Sequence, residues 1–296
     1  MIYDVCHRTS YKYEATVTFA RCQLRLTPPS NSSQTVIAGA LTITPQPSQR
    51  ETHTGPFDER VVTVIIDRPH KTLVIEARSR VKVHALPIPS AEQSPPWEAV
   101  RLSAFESRSL DADSPAPYLY PTPRTPIMPA ITDYARAHFT PGRPILEATI
   151  SLMRAIYDDF TYDAEATTVS TPAAEAFTKR HGVCQDFSHI MIAGLRGLGA
   201  PAAYVSGYLR TIPPPGQPRL EGADATHAWV QVWCGETIGW VGFDPTNALI
   251  VQNDHITLAV GRDYSDVAPI DGVMLGPRGQ GLKVEVDVIP LTEAAA

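Results

Sequence analysis

Four cysteines occur in the chain, and one of them, Cys184, opens an apolar helical pattern just after a glycine, in "RHGVCQDFSHIMIAGLRGLGA" (Arg180–Ala200). A thiol at a helix start is set up to be a nucleophile. The positive end of the helix dipole lowers a thiol pKa, and the first-turn N–H groups are free to hold a developing oxyanion. Such a thiol needs a base, and the base needs an orienting group. Of the nine histidines, His227 heads "HAWVQVW". Alternation there sends His227, Trp229 and Gln231 to one face and Ala228, Val230 and Val232 to the other. Asp244 closes "GWVGFDPT", where Pro245 ends the strand. Cys184 and His227 are 43 residues apart, and His227 and Asp244 are 17 apart. The shorter spacing suits a hairpin that lays His227 and Asp244 on adjacent strands.

The elements that must position these residues are legible on both sides of Cys184. "PAITDYARAHF", "PILEATISLMRAIYDDF" and "TPAAEAFTKRHG" read as helices. The second starts at Pro144 and places Leu146, Ile150, Met153, Tyr157 and Phe160 at helical spacing. The third stops at Gly182. The Cys184 helix carries Phe187, Met191, Leu195 and Leu198 on one stripe. "AAYVSGYL", "HAWVQVW" and "GWVGFD" follow as strands, so this half runs helices first and strands second, an α+β order. Ahead of it the first ~85 residues read as β. In Lys71–His84, Leu73, Ile75, Ala77, Val81 and Val83 share one face and Glu76, Arg78, Arg80 and Lys82 the other, with Val74 as an exception. "RVVTVIID" (Arg60–Asp67) is apolar on both faces, and "DRPHK" suggests a hairpin-like pairing of the two. With strands at "ARCQLRLTPP" and "TVIAGALTITP", an antiparallel sandwich fits this region best. Nine prolines in residues 87–126 mark an extended connector with one short helix at "PWEAVRL". "KVEVDVIP" is a further strand without an assigned sheet. The expected organisation is therefore a β-rich domain at 1–86, a Pro-rich connector at 87–126, a catalytic core at 127–275, and a strand and tail at 276–296.

Bulk properties narrow the function classes. At 43% hydrophobic and 19% charged residues, the 296-residue chain can bury a real core, which excludes wholesale disorder. Residues 1–120 hold 13 Lys/Arg against 12 Asp/Glu; residues 121–296 hold 12 against 19, a net of −7. The half with Cys184 is acidic, which argues against nucleic acid as its partner. Cys6, Cys22 and Cys234 form no metal-type or disulfide pattern with Cys184. The sequence shows no basic-then-apolar leader and no run of ~18 apolar residues, so a cytoplasmic chain that does not enter a membrane is expected.

The blocks "GVCQDFSH…LRGLGAPAAYVSGYL", "THAWVQVW" and "GWVGFDPTN" resemble the core of the bacterial transglutaminase-like superfamily in order and spacing. "YKYEATVTFARCQLRLTPPS" and "RPHKTLVIEARSRVKV" resemble the β-rich region that precedes this core in one bacterial branch. "GRDYSDVAPIDGVMLG" resembles that branch's C-terminal stretch. "TGPFDERV" departs from it, where an aromatic-Gly-Asn turn is usual. The resemblance covers nearly the whole chain. It implies a papain-like α+β fold, a transglutaminase core of helices on an antiparallel sheet after an all-β sandwich-like domain. It also implies a triad with Cys184 as nucleophile, His227 as general base and acid, and Asp244 as orienter.

The implied reaction is cleavage or transfer at an amide or isopeptide bond of a peptide or protein, through a thioester and without cofactor or metal. Hydrolysis, by a peptidase or amidase, is the simpler outcome because water is abundant. Amine transfer by a true transglutaminase and a non-catalytic peptide-binding module on the same fold are the alternatives. The sequence does not show a second oxyanion donor; Tyr162, in "FTYD", is one candidate. Asp186 is expected to complement the helix N-terminus. His181 and His189 are read as structural or surface residues, and Trp229, Trp233 and Trp240 as core or pocket walls. Cys6, Cys22 and Cys234 are read as inert, a redox role for Cys234 requiring disulfide reach of Cys184. Arg210–Asp224 is read as a surface loop leading into His227.

Overall fold

Alternation in the first 83 residues builds two antiparallel sheets face to face. The structure, a computed structural model, describes residues 1–109, 111–211, 225–276 and 279–291. Its first strands are β1 (Ile2–Val17), β2 (Phe19–Leu24), β3 (Gln34–Thr44), β4 (Gln49–Thr54), β5 (Arg60–Ile66) and β6 (His70–Val83). Leu73, Ile75, Ala77, Val81 and Val83 of β6 point inward and its charged residues outward, as period two requires. Leu73, Ile75 and Ala77 meet Leu24 of β2 and Val62, Val64 and Ile66 of β5 in one apolar core. At ~25 cal/mol per Å², each large side chain buried there contributes roughly 1.5–3 kcal/mol.

The hairpin between β5 and β6 does not form. β5 lies between β2 and β4, whereas β6 lies between β1 and β3 in the other sheet. Both strands are central and have partners on both edges, so the link between them carries the chain across the sandwich. The C-terminal strands complete the same sandwich. β14 (Ile270–Leu275) pairs with β2, and β15 (Gln280–Leu291), which contains "KVEVDVIP", pairs with β1.

The connector contains α1 (Trp97–Glu106), and Trp97, Val100 and Ala104 are built into the core of the following half. This stretch is thus less extended than its prolines suggest, because α1 has an apolar face to bury. Then come α2 (Pro129–Arg136), α3 (Ile145–Asp159), β7 (Thr161–Tyr162), α4 (Ala173–Lys179), β8 (His181–Gly182) and α5 (Cys184–Gly197). They are followed by β9 (Ala202–Leu209), β10 (Ala225–Trp233), β11 (Trp240–Asp244), β12 (Leu249–Ile250), β13 (His255–Gly261) and the short α6 (Tyr264–Val267). The sheet order is β12–β11–β10–β9–β13, all antiparallel.

α5 packs on this sheet through Phe187, Met191 and Leu195, which face the core that holds Ala228, Val230 and Val232 of β10. Nearly every residue of α5 is buried, more than a one-sided stripe implies. In α3 the buried set is instead Ile145, Leu146, Ala148, Thr149, Leu152, Met153 and Ile156, and Tyr157 faces solvent. A second seam joins the halves: Tyr3, Val5, Val81 and Val83 of the sandwich pack with Tyr208, Ile256 and Leu258.

Candidate active site

The approach to Cys184 is built by three residues in sequence. Arg180 closes α4 in the left-handed region, at φ 59°. Its guanidinium lies over the rings of Phe177 (4.3 Å), Phe160 (4.5 Å) and Tyr134 (5.0 Å), which compensates that backbone conformation. Arg180, rather than Gly182, therefore makes the turn. Gly182 serves a close approach instead: a Cβ there would lie 2.7 Å from Asp186 Oδ2. That oxygen accepts the Val183 N–H at 2.9 Å and the Thr167 hydroxyl at 2.7 Å. Asp186 thus folds back over the first turn and fixes where α5 begins. Burial raises its carboxyl pKa, against the pull of those two hydrogen bonds. Cys184, one residue past Val183, is half-buried at the first helical position.

His227 reaches this thiol from the neighbouring sheet. It stands on β10 opposite Gly207 of β9, where a Cβ would collide with the Trp229 ring. The hairpin of β10 and β11 pairs Val230 with Phe243 and Trp233 with Trp240, which brings Asp244 back beside His227. Nε2 of His227 donates to Asp244 Oδ2 at 2.8 Å, and the ring lies close enough to the Cys184 thiol for the two to interact. Burial opposes charge on His227, but its hydrogen bonds with Asp244 and Cys184 outweigh that and carry its pKa up to about 10. Asp244 is fully buried. Burial alone would raise its pKa, yet donation from His227, His255 and Asn247 holds it far below the usual carboxylate range. The structure therefore brings together all three residues singled out by type and spacing.

Sequence reasoning missed two members of the cluster, Asn247 and His255. Asn247 donates to Asp244 Oδ2 at 2.8 Å, and His255 Nε2 meets the same oxygen at 3.0 Å. A position three residues after an Asp-Pro turn could have flagged Asn247, since Asx-type turns capture such neighbours. His255 heads an apolar strand just as His227 does, but nothing local pairs it with Asp244. His227, Asp244 and His255 have the composition of a metal site and lie within 4.8 Å of one another. In this structure the two Nε2 atoms lie at hydrogen-bond distance from Asp244 Oδ2, 2.8 Å for His227 and 3.0 Å for His255.

The remaining expectations divide. Tyr162 is 57% exposed on β7, opposite Gly182 of β8, close enough to Cys184 for the two to interact electrostatically. His181 is exposed and bonds the Lys179 carbonyl. His189 is buried, accepts the Tyr264 N–H at 3.3 Å, and is pushed down to about 4 by burial. Trp229 stacks with His227 and meets His255 edge to face, Trp233 joins the core, and Trp240 donates to the Asp113 carbonyl. Cys234 lies seven residues beyond His227, roughly 20 Å along the strand direction, far outside disulfide reach of a thiol at His227. Residues 212–224 of the Arg210–Asp224 loop lie outside the described residues. A hollow of ≈ 580 Å³ lined by Cys6, Arg78 and Arg80 sits on the β15–β1–β6–β3 sheet and includes none of the three site residues. No helix among the described residues is long and apolar enough to cross a membrane.

Comparison with known proteins follows the same division of the chain. Residues 3–82 match the model of the bacterial transglutaminase-like N-terminal region. Residues 132–245, which hold Cys184, His227 and Asp244, match the model of the transglutaminase-like superfamily. An uncharacterized protein of Mycobacterium tuberculosis (strain H37Rv) is 39% identical over 300 residues, covering 97% of this chain and 92% of that one. One of Mycobacterium leprae is 32% identical over 291 residues, covering 97% and 98%. A crystal structure of a candidate cysteine protease from Cytophaga hutchinsonii shares the fold, with a TM-score of 0.73 at 21% identity, covering 99% of this chain and 92% of that one.

Proposed function

The chain belongs to the transglutaminase-like superfamily, and from that premise we propose that it is a cysteine-dependent enzyme acting on an amide or isopeptide bond of a peptide or protein. The observation that carries this reading is the buried His227, held between the Asp244 carboxylate and the Cys184 thiol. His227 takes the thiol proton, and the Cys184 thiolate attacks the acyl carbon. The carbonyl oxygen becomes an oxyanion facing the first-turn N–H groups of α5, with Tyr162 as a second donor. His227 then gives its proton to the leaving nitrogen, the C–N bond breaks, and a thioester remains on Cys184. Water attacks that thioester as His227 accepts its proton. The acid departs, and the proton returns to the cysteine sulfur. Asp244 holds the imidazole in its Nε2–H tautomer and stabilises the imidazolium. With an amine in place of water the same steps give transfer; we favour hydrolysis, because water is abundant and selective transfer needs a site that excludes it.

The other cysteines support this reading by contrast. Burial pushes the Cys22 thiol up to about 11 and raises those of Cys6 and Cys234, which makes them poor nucleophiles near neutrality. Iodoacetamide at pH 7 should therefore alkylate Cys184 far faster than Cys6, Cys22 or Cys234, and Cys184→Ala should remove the fast phase. Equal labelling of all four would leave a peptide-binding module as the better reading. Mass spectrometry of an acyl group trapped on Cys184 would then identify the substrate, and adding an amine to the trapped thioester would show whether water or amine takes the acyl group.

A further inference from the structure

The Asp244 carboxylate carries more donors than a triad needs. Oδ2 meets His227 Nε2 at 2.8 Å, Asn247 Nδ2 at 2.8 Å and His255 Nε2 at 3.0 Å. Oδ1 accepts the backbone N–H of Thr246 at 2.9 Å and of Asn247 at 3.2 Å. A carboxylate oxygen has two lone pairs, so three donors on Oδ2 compete. Orientation of the carboxylate does not depend on His255, because Asn247 and two backbone N–H groups already fix it. What His255 adds is competition with His227 for one oxygen.

The sheet makes this arrangement possible. β9 lies between β10 and β13, so His227 and His255 approach from two strands apart. Gly207, the residue of β9 opposite both His227 and Thr257, has no side chain to intervene. The Trp229 ring fills that space, with its centroid 5.0 Å from that of His255. His255 is 5% exposed. The titratable groups facing His227 are Cys184 from α5, Asp244 from the end of β11 and His255 from β13; His255 in turn faces Asp244 and His227. Asp254, beside it in the chain, is engaged by the Tyr3 hydroxyl (2.9 Å) and by Arg210 (3.4 Å).

We infer that His255 is a positioning residue of the site: as the Nε2–H tautomer it donates to the oxygen that His227 uses, and so holds back the proton affinity of His227. This rests on the proposed reading of Cys184 and His227 as a working pair. Its consequence is chemical. Asp244 raises the proton affinity of His227 well above that of a free imidazole, and a second donor on the same oxygen limits how far it does so.

The test is the pH profile of Cys184 alkylation by iodoacetamide in the full chain, read on the Cys184 peptide by mass spectrometry. The alkaline inflection marks loss of the imidazolium proton. His255→Leu should move it up by about one pH unit, the scale of one hydrogen bond to a charged group. His255→Gln, which keeps an N–H donor, should leave it near the wild-type value. An inflection that stays put or moves down in His255→Leu overturns the inference. So does an equal upward shift in both variants, since the donor would then not be the cause. Should His255→Leu fail to fold, ¹⁵N shifts of the wild-type rings decide: both Nε2 atoms are expected to carry protons, and a bare Nε2 on His255 overturns the proposal. If Cys184 shows no fast labelling at any pH, the thiol-site reading itself fails, a result distinct from an unmoved inflection.

Discussion

The sandwich and the α5 site each bury a histidine, and the two imidazoles respond to burial in opposite ways. His7 of β1 lies at the seam between the halves, with Nδ1 2.9 Å from the Tyr208 hydroxyl and Nε2 3.0 Å from the Thr9 hydroxyl. Its partners are neutral, so burial alone acts and lowers its pKa to about 4. His227 is just as buried, but an ionised carboxylate and a thiol face it, and its pKa rises to about 10. Among the cysteines, Cys22, in the sandwich core, is pushed up to about 11 by burial, and Cys184 stands half-buried at the start of α5. Burial by itself neutralises a titratable group, and reactivity requires burial together with a partner whose charge outweighs it.

The largest expected effect breaks the reactive side of this contrast. Asp244→Asn removes the charge but keeps the shape, and should slow Cys184 alkylation at pH 7 by roughly 10²- to 10⁴-fold. A variant that labels at the wild-type rate would mean that His227 does not depend on Asp244. Next, Leu24→Ala empties part of the sandwich core, where Leu24 is fully buried. It should cost about 2–5 kcal/mol in denaturant unfolding while leaving the fast labelling of the remaining folded protein intact. Loss of labelling in that folded fraction would show that the two regions are not separable.

The smallest effect concerns pH and sharpens the histidine comparison. His7, whose folded pKa lies below 6.5, contributes full stability above 6.5 and loses it as pH falls toward 4, because the unfolded chain binds a proton that the folded chain refuses. His189, also pushed down to about 4, acts in the same sense. His227 acts oppositely: its stabilisation is complete below 6.5 and is lost as pH rises toward 10. His7→Asn should therefore flatten the acid slope of stability between pH 6.5 and 4 by at most about 1.4 kcal/mol per pH unit, leaving the alkaline slope alone. An unchanged acid slope would remove His7 from the comparison.

Local pattern reached some parts of the molecule and not others. The α5 start at Cys184 was legible because an apolar helix must begin where Gly182 and an acidic third residue allow it. The β10–β11 hairpin was legible because seventeen residues leave few other ways to connect two short strands. The β5–β6 hairpin was misread for the same reason inverted: a short link permits a hairpin, but whether two strands share a sheet depends on which partners fill their edges. Tyr157 was placed on the wrong face of α3 because the apolar stripe there is broad, and only the neighbouring elements decide which flank is covered.

By itself the sequence determined the residue types of the site, the helix that presents the thiol, the strand that carries the imidazole, and the β character of the first domain. These follow from periodicity and from turn residues, which act over a few positions. Tertiary structure alone decided that β14 and β15 return to the sandwich, that Arg180 rather than Gly182 takes the left-handed turn, and that His255 shares Asp244 with His227. Those outcomes come from strands far apart in the chain settling side by side. No local spacing encodes them, because sheet order is chosen by the summed burial of whole faces rather than by any one residue's neighbours.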